Sequence, residues 1–341
     1  MTHARTSVAY LLKAFPLLSE TFISSEIRRI EGSGVAIRIF VIKPRDEREH
    51  HPVVDRIRAR PSYLPPTRRL SEVSRTWWLI TNVPPFVPSL FRTARRHPAG
   101  VLRAVSWALR ESITARRSAW SWPKISYIRD LLLAVALADR VLKCGDVGHL
   151  HAHFAHETTT IAWLTSLITD LPFSFTAHAK DIYSQRINPE DLLRRKLSAA
   201  SFVVTCTDAN RKHLGEMANG TPIHRIYHGL NDDFSTFLEG RPPPAVETEV
   251  LRLLTVGRLV AKKGFDILVE ACGVLHERNI EFGAEIVGED DDIGDGIRVG
   301  DDLRSRIAGL GLEERVRLVG QLGQAEVYER YRASGVFCLP C

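Results

Sequence analysis

The sequence has 341 residues, enough for two domains with their own cores, and its 44% hydrophobic and 25% charged residues are typical of a soluble globular protein. It contains no run of 18 apolar residues, which argues against a membrane-spanning helix. The net charge is +6, and five scattered cysteines without a CxxC pair argue against a disulfide framework or a zinc site and predict a reducing, cytoplasmic location.

Strand-like and helix-like segments alternate from the start of the chain. Val8 to Leu12 predicts a strand, and Ser19 predicts the N-cap of a following helix that has Glu20 in its first turn. That helix is expected to end near Gly32, before a second strand over Val35 to Ile42. Residues 45–66 then form a polar connection.

The next segment, residues 56–129, is strongly basic. It holds fifteen lysines and arginines against two acids, a net charge of +13, while the rest of the chain sums to −7. Five of the six tryptophans lie in it: Trp77, Trp78, Trp107, Trp120 and Trp122. Cations mixed with indoles suit an anionic membrane surface, where each cation contributes about 1 kcal/mol. A solvated basic face over buried tryptophans explains the composition equally well, and no signature of nucleic-acid binding accompanies the charge.

Prolines divide the same segment. The apolar run 77–91 contains Pro84, Pro85 and Pro88, so it predicts neither a spanning helix nor a straight one. We expect residues 70–125 to be the least regular part of the chain.

Regular alternation returns after residue 125. Strands are predicted over residues 147–150, 173–176, 202–205 and 224–227, with helices over 128–142 and 157–168 and from Asp208. After the linker 240–244, strands are predicted over 251–256, 284–287, 315–319 and 336–339, with helices over 265–278, 301–310 and 324–333. Such alternation indicates parallel sheets. We therefore predict an α/β protein of two Rossmann-like, doubly wound domains, residues 1–239 and 245–341, the second incomplete with four strands.

The segment Val256 to Phe265, VGRLVAKKGF, carries the strongest binding motif. It joins a predicted buried strand to a helix at the carboxyl edge of a parallel sheet, where ligands of such folds bind. Gly257 and Gly264 let the backbone approach a ligand, and the helix start offers free N–H groups. Because Arg258 and Lys263 add two charges, the loop predicts a diphosphate clamp, although any strand–helix loop can carry a stray cation.

Histidines form the second motif: His149, His151, His153, His156 and His178. The first three alternate, so on a strand they share a face and could ligate a metal, which keeps a metal-dependent hydrolase as an alternative. Ordinary polar residues at a strand end are the other interpretation. The later histidines occupy no convincing ligand positions: His213, His224, His228 and His276. His178 differs, because it follows an apolar strand directly and precedes charged residues.

Several motifs in order resemble the family 4 glycosyltransferases with the GT-B fold. In the second half these are VGRLVAKKGFDIL, EIVGED, RVRLVGQL and EVYERYRASGVFCLP. In the first half AFPLLSETFISSEI, HLHAHFAH and PFSFTAHAKDIY are similar to bacterial exopolysaccharide transferases of the colanic-acid type. The resemblance implies two domains facing a cleft. It also implies retaining transfer of a sugar from a nucleoside diphosphate sugar, with no metal or other cofactor. We expect the acceptor to be a lipid-linked saccharide or a surface polysaccharide.

The resemblance further implies roles on the donor side. Arg258 and Lys263 would hold the donor diphosphate beside Gly257. Gly320 and Leu322 would meet the base. Glu289 would begin a loop by the donor that is longer here than is usual in the family.

In the first domain the resemblance implies that His178 contacts the donor sugar near the reacting centre and that His153 faces the cleft. Ser19 and Glu20 belong to a loop, residues 15–21, that would approach the phosphates and that lacks the paired glycines common in the family. The family also carries two glutamates eight positions apart after the strand that here ends at Pro340, and this chain stops before them. A catalytically impaired nucleotide-sugar-binding fragment therefore remains an alternative to an active enzyme at the inner face of the plasma membrane.

Overall fold

The computed structural model describes residues 6–17, 20–44, 51–68, 74–115, 124–189, 191–229, 250–290 and 298–341. The chain divides into two units, Met1–Asn231 and Asp232–Cys341, and each contains its own parallel sheet.

The first unit is built on a seven-stranded parallel sheet. Its strands are β1 (Ser7–Leu12), β2 (Ile37–Val41), β3 (Pro61–Tyr63), β4 (Val147–His153), β5 (Phe173–Ala177), β6 (Phe202–Thr205) and β7 (Ile223–Arg225). Their order is β3-β2-β1-β4-β5-β6-β7. The direction of strand succession reverses between β1 and β4, which creates the topological switch point where open α/β sheets bind ligands.

Helices and two separate hydrophobic clusters cover both faces of this sheet. The helices are α1 (Thr21–Gly32), α2 (Arg75–Asn82), α3 (Val87–Arg96), α4 (Pro98–Thr114), α5 (Ser126–Cys144), α6 (Glu157–Thr169), α7 (Ala179–Tyr183), α8 (Leu192–Ala199) and α9 (Asp208–Met217), with 3-10 helices at Pro52–Arg56 and Pro84–Phe86. In β1, Ala9 and Leu11 belong to the cluster that contains α5 and α6, whereas Tyr10 and Leu12 belong to the cluster that contains Ile27 of α1. Successive strand residues point to opposite faces, so the sheet is buried on both sides.

The second unit has a four-stranded parallel sheet. Its strands are β8 (Leu251–Val256), β9 (Phe282–Val287), β10 (Val316–Gly320) and β11 (Val336–Phe337), in the order β10-β9-β8-β11. Its helices are α10 (Phe265–Glu277), α11 (Val299–Gly309) and α12 (Gln324–Ala333), with a 3-10 helix at Ala261–Lys263. Phe265, Ile286 and Leu303 lie in its core.

The predicted α/β class is confirmed by these two parallel sheets. The bounds of β6, β8 and α12 agree with the sequence-based prediction to the residue. The expectation that residues 70–125 are irregular is wrong, because α2, α3 and α4 occupy most of that range. Pro88 and Pro98 lie in the first turns of α3 and α4, where a missing N–H breaks no helical hydrogen bond.

Smaller differences concern the ends and the connections of elements. Glu20 is the N-cap of α1 and not a residue of its first turn, and Ser19 lies outside the described residues. The predicted polar connection over residues 45–66 contains β3, and the sequence predicts no counterpart of α7 or α8. Among the described residues, no helix combines the length and apolarity needed to cross a bilayer.

Gly100 sets how closely α4 approaches α6, which gives a test of the packing. A Cβ atom at Gly100 would lie 2.4 Å from the carbonyl oxygen of Ile168, whereas one at Gly215 of α9 would meet nothing within 4 Å. We expect Gly100→Ala to lower the free energy of unfolding by about 1–3 kcal/mol. Gly215→Ala, the matched control, should raise it by up to about 1 kcal/mol. Urea unfolding of both variants measures this, and equal stabilities would contradict the close contact.

Candidate active site

The carboxyl edge of the first sheet gathers several chemically capable side chains. His153 is the last residue of β4, and His178 directly follows β5. Cys206 directly follows β6, and His228 comes three residues after β7. Because all strands run parallel, these positions meet at one edge, next to the switch point between β1 and β4.

Glu26 on α1 lies over this edge and forms a compact polar group. The hydroxyl of Tyr10 donates a hydrogen bond of 2.8 Å to Glu26 Oε1, and His153 Nε2 lies 3.3 Å from the same oxygen. Burial alone would raise the pKa of Glu26. The interactions with His153, His151 and Tyr10 outweigh it and lower this pKa to about 2. Glu26 is therefore ionised at physiological pH, and it is a site residue that sequence reasoning missed.

His149 and His151 fit the structural interpretation of the histidine motif. His149 Nε2 and His151 Nδ1 lie 2.7 Å and 2.8 Å from Ser174 Oγ, and His151 Nε2 lies 3.1 Å from Thr176 Oγ1. The predicted shared face is confirmed, since both rings meet one serine. Burial, with a contribution from His153, lowers the pKa of His151 to about 3, so its ring is neutral. Both nitrogens of His151 are engaged with β5.

His178 is placed differently from the strand histidines. Its ring lies 4.6 Å from the ring of Phe154, 5.1 Å from Phe22 and 5.5 Å from His228, measured between centroids. Burial, with contributions from His153 and His228, lowers its pKa to about 3, so the imidazole is neutral. Its Nε2 is buried and has no hydrogen-bond partner among the described residues. A buried polar atom of this kind is expected to meet a ligand or water.

Two buried charges lock the loop that carries His178. One carboxylate oxygen of Asp181 accepts a 2.8 Å hydrogen bond from the His178 backbone N–H, and the other accepts one from the backbone N–H of Ala155. Lys196 is almost fully buried and donates to the Ala155 carbonyl at 3.0 Å and to Asn188 Oδ1 at 2.9 Å. The loops after β4 and β5 are therefore held as one piece. The sequence signalled Asp181 only by its place beside His178, and it gave no signal for Lys196.

Two groups in the described part of the chain have the donor atoms to hold a metal ion. They are Glu26 with His151 and His153, and His178 with Cys206 and His228; within each group the ligand atoms lie within 4.8 Å of one another. Cys and His ligands are the set that zinc prefers. The expectation that His228 has no convincing ligand position is wrong, because the end of β7 brings it to the same edge as the end of β5.

His153 is fully buried and is not open to solvent in the first unit. It lies between Glu26 and the ring of His178, with 6.1 Å between the two imidazole centroids. Glu20 is half-buried at the start of α1. The contacts expected of His153 and Glu20 with a substrate remain predictions.

Glycines form the carboxyl edge of the second sheet. The N–H of Gly257 donates to the Val287 carbonyl at 2.9 Å, and the N–H of Gly288 donates to the Gly320 carbonyl at 2.8 Å. A Cβ at Gly288 would lie 1.8 Å from the oxygen of Gly257, and Gly288 has a φ of 148°. Only glycine allows the ends of these strands to approach so closely. Gly257, Gly288 and Gly320 leave the backbone at this edge without side chains, and this part of the edge is called here the glycine ledge.

The predicted clamp segment lies at this edge between β8 and α10. Gly264, with a φ of 66°, is the N-cap of α10, so the free N–H groups of the helix face the loop. Arg258 is exposed and Lys263 is half-buried, with the Cε of Lys263 3.7 Å from where a Gly257 Cβ would stand. The structure thus brings both predicted cations to the strand–helix junction.

The remaining predicted donor residues follow β9 and β10. Glu289 is exposed, and its carbonyl accepts a 2.8 Å hydrogen bond from the N–H of Leu259. Gly320 ends β10 with a φ of 86°, and Leu322 is half-buried two residues later. These positions line the same edge as Gly257, while most of the long loop after Glu289, residues 291–297, lies outside the described residues.

Comparison with known proteins relates this chain to glycosyltransferases. Residues 239–341 match the family glycosyl transferases group 1. The chain is 26% identical to the putative colanic acid biosynthesis glycosyltransferase WcaL of Escherichia coli K12, over 98% of this chain and 75% of that protein. It is 34% identical to the amylovoran biosynthesis glycosyltransferase AmsK of Erwinia amylovora over 90 residues, which cover 26% of this chain and 20% of that one.

The fold has a close counterpart among solved structures. HepE from Anabaena, solved in complex with UDP and glucose, superimposes with a TM-score of 0.59 at 13% identity, over 97% of this chain and 73% of that one. The second unit is a glycosyl transferases group 1 domain, and the chain has the fold of GT-B glycosyltransferases. The resemblance seen in the sequence is thereby confirmed.

The ionised Glu26 predicts a pH-dependent contribution to stability. Its folded pKa of about 2 lies below the ordinary value of 4.5, so ionisation stabilises the fold above pH 4.5 and this contribution disappears as the pH falls towards 2. We expect the free energy of unfolding of the wild type to exceed that of Glu26→Gln by up to about 3 kcal/mol at pH 6 and by less at pH 4 and below. Urea unfolding across this range measures the difference. The exposed Glu216→Gln on α9 is the control, and a difference that does not change with pH would contradict the interaction.

Proposed function

We propose that the protein is a retaining hexosyltransferase of exopolysaccharide biosynthesis. It would move a sugar from a nucleoside diphosphate sugar to a lipid-linked saccharide, and would act in the cytoplasm at the inner face of the plasma membrane. The observation that carries this proposal is the loop between β8 and α10, where Arg258, Lys263 and the free N–H groups of α10 converge.

The donor diphosphate is the ligand that this loop suits best. A helix N-terminus attracts anions through its N–H groups and its positive dipole end. The glycine ledge formed by Gly257, Gly288 and Gly320 lets a flat nucleotide approach the backbone. Arg258 and Lys263 supply two positive charges against the two negative charges of a diphosphate. The base would lie by Gly320 and Leu322, with Glu289 at the start of the neighbouring loop.

His178 is the residue proposed to contact the donor sugar near the reacting centre. A neutral imidazole carries one donor and one acceptor nitrogen, so it can hold a sugar hydroxyl or the developing positive charge without adding a charge of its own. The unpartnered Nε2 supports this role. Asp181 fixes the backbone of His178, so the ring is positioned before substrate arrives.

The pathway and acceptor are proposed from the relatives. WcaL and AmsK are named for the biosynthesis of colanic acid and amylovoran. By analogy this chain would extend a saccharide of that class, and we propose that this saccharide is carried on a lipid. Nucleic acid is not proposed as a partner.

We propose that transfer needs no metal, which a chelator tests. Dialysis against EDTA is expected to leave turnover unchanged, because the clamp supplies its positive charge from Arg258, Lys263 and α10. Cys206→Ser combined with His228→Gln, which removes two possible zinc ligands, should also leave turnover unchanged. Turnover lost on chelation and restored by zinc would instead favour a metal-dependent hydrolase built on His178, Cys206 and His228.

The clamp itself is tested by Arg258→Ala combined with Lys263→Ala. Each lost charged contact should cost about 1.5–3 kcal/mol, so donor affinity should fall by at least a hundredfold. Arg278→Ala, at the opposite end of α10, is the matched control and should bind donor like wild type. Calorimetric titration with a nucleoside diphosphate measures binding, and release of nucleoside diphosphate measures turnover. Unchanged affinity in the double variant would refute the clamp, and tight binding without turnover would favour a non-catalytic nucleotide-binding protein.

A further inference from the structure

Helices α2, α3 and α4 expose an unusual number of large apolar side chains. Trp77 and Ile80 on α2 are 52% and 58% exposed, Phe91 on α3 is 63% exposed, and Leu102 on α4 is 69% exposed. The full set, called here the α2–α4 surface, is Trp77, Leu79, Ile80, Val87, Phe91, Leu102, Leu109 and Ile113. Single exposed apolar residues are ordinary, but eight on three consecutive helices require an explanation.

These side chains are not part of the core, because each helix already buries a different face. Trp78, adjacent to Trp77, is fully buried and its indole N–H donates to the Arg68 carbonyl at 2.9 Å. On α4, Ala104 and Ala108 are fully buried. The exposed residues on α4 follow one stripe, since Leu102, Leu109 and Ile113 are seven and four positions apart.

The exposed stripes of α3 and α4 lie on the same side of the first unit. The two helices contact each other, and both pack on α5. Arg92 of α3 is held at 2.7 Å by the buried Asp139 of α5. Their outward faces therefore point away from α5 together, which makes the stripes neighbours and not unrelated spots on the surface.

The charge around these stripes is almost entirely positive. Residues 74–115 contain one acid, Glu111, which is buried and paired with Arg195, and they contain six arginines: Arg75, Arg92, Arg95, Arg96, Arg103 and Arg110. The Arg95 guanidinium lies 5.7 Å above the ring of Phe91. Two of these arginines are already paired, Arg92 with the buried Asp139 and Arg103 with the exposed Asp170. An apolar face flanked by the other four arginines matches a surface that is apolar inside and anionic outside.

We propose that the α2–α4 surface docks on an anionic lipid bilayer, with its apolar side chains in the headgroup and upper acyl region and its arginines on lipid phosphates. This rests on the proposed function, since a lipid-linked acceptor is reached at a membrane. Among the described tryptophans of residues 56–129, Trp77 belongs to this surface, whereas Trp78 is core and Trp107 packs against Trp163 at 4.9 Å and Tyr127 at 5.9 Å. Phe91 and aliphatic side chains make up the rest of the surface. Trp120 and Trp122 lie outside the described residues.

The charge pattern and the amphipathic character of the helices favour a bilayer over a second protein as the partner of the α2–α4 surface. Lys and Arg beside an apolar helix face are typical of helices that lie in a membrane interface. Each cation adds attraction to an anionic leaflet and loses it when salt screens the charge. A second copy of this chain docked through the same face would place arginines against arginines, because residues 74–115 hold six arginines and their single acid, Glu111, is buried.

Vesicle flotation tests the docking directly. The full chain is mixed with phosphatidylcholine vesicles with and without phosphatidylserine, at low and at high salt. We expect recovery with the anionic vesicles at low salt and a strong loss at high salt or with the neutral vesicles. Phe91→Ser combined with Leu102→Ser should lower the partition coefficient about a hundredfold or more, because two large apolar side chains no longer enter the bilayer. Ile267→Ser, exposed on α10 of the second unit, is the matched control and should float like wild type.

Three results would overturn the proposal. They are equal recovery with neutral and anionic vesicles regardless of salt, equal loss in the Ile267→Ser control, and a double variant that floats normally but unfolds at lower temperature. The last result would show that Phe91 and Leu102 pack against protein and not against lipid. Donor binding by the second unit does not depend on flotation, so a chain that floats without turnover refutes the transferase proposal alone. A chain that turns over a soluble acceptor without floating refutes the docking alone.

Discussion

The parallel arrangement of the strands is the constraint on which the rest of the molecule depends. In a parallel sheet every strand ends at the same edge, so residues distant in sequence become neighbours without any direct signal between them. β1 and β4 pair although the whole α2–α5 region separates them, and the reversal between them opens the edge where Glu26, His153 and His178 gather. The second sheet repeats the rule with Gly257, Gly288 and Gly320.

Burial of polar groups at this edge is tolerated because the charges are compensated. Lys196 is held by two carbonyls and the Asn188 side-chain oxygen, and burial lowers its pKa to about 7 against the attraction of Asp130 and Asp181. A buried charge with its hydrogen bonds made fixes geometry more than it adds stability. Here it fixes the loops after β4 and β5, so the neutral imidazole of His178 is presented by a rigid backbone and not by a mobile loop.

Local pattern predicted much of this structure, and long-range contact accounts for what it did not. The apolar run of β8 and the periodicity of α12 were enough to predict the bounds of these two elements. The clamp loop could also be predicted from sequence, because its cations and glycines lie within nine residues of one another. Glu26, Cys206 and His228 acquire meaning only when strand order brings them to their neighbours, and Lys196 only through its hydrogen bonds to Ala155 and Asn188. The prediction that residues 70–125 are irregular is wrong for another reason. Proline breaks a helix in its interior, whereas Pro88 and Pro98 lie in the first turns of helices.

Helix α4 of the α2–α4 surface is connected to the active edge through an ion pair with a buried carboxylate. Glu111 near the end of α4 is paired with Arg195 of α8, and the next residue, Lys196, holds the carbonyl of Ala155 beside the His178 loop. This pair joins the C-terminal end of α4 to α8, and Gly100 packs the other end of α4 against α6. An insertion between β3 and β4 is therefore tied to α6 and α8 of the first unit, and it can add a surface of its own without loosening the site.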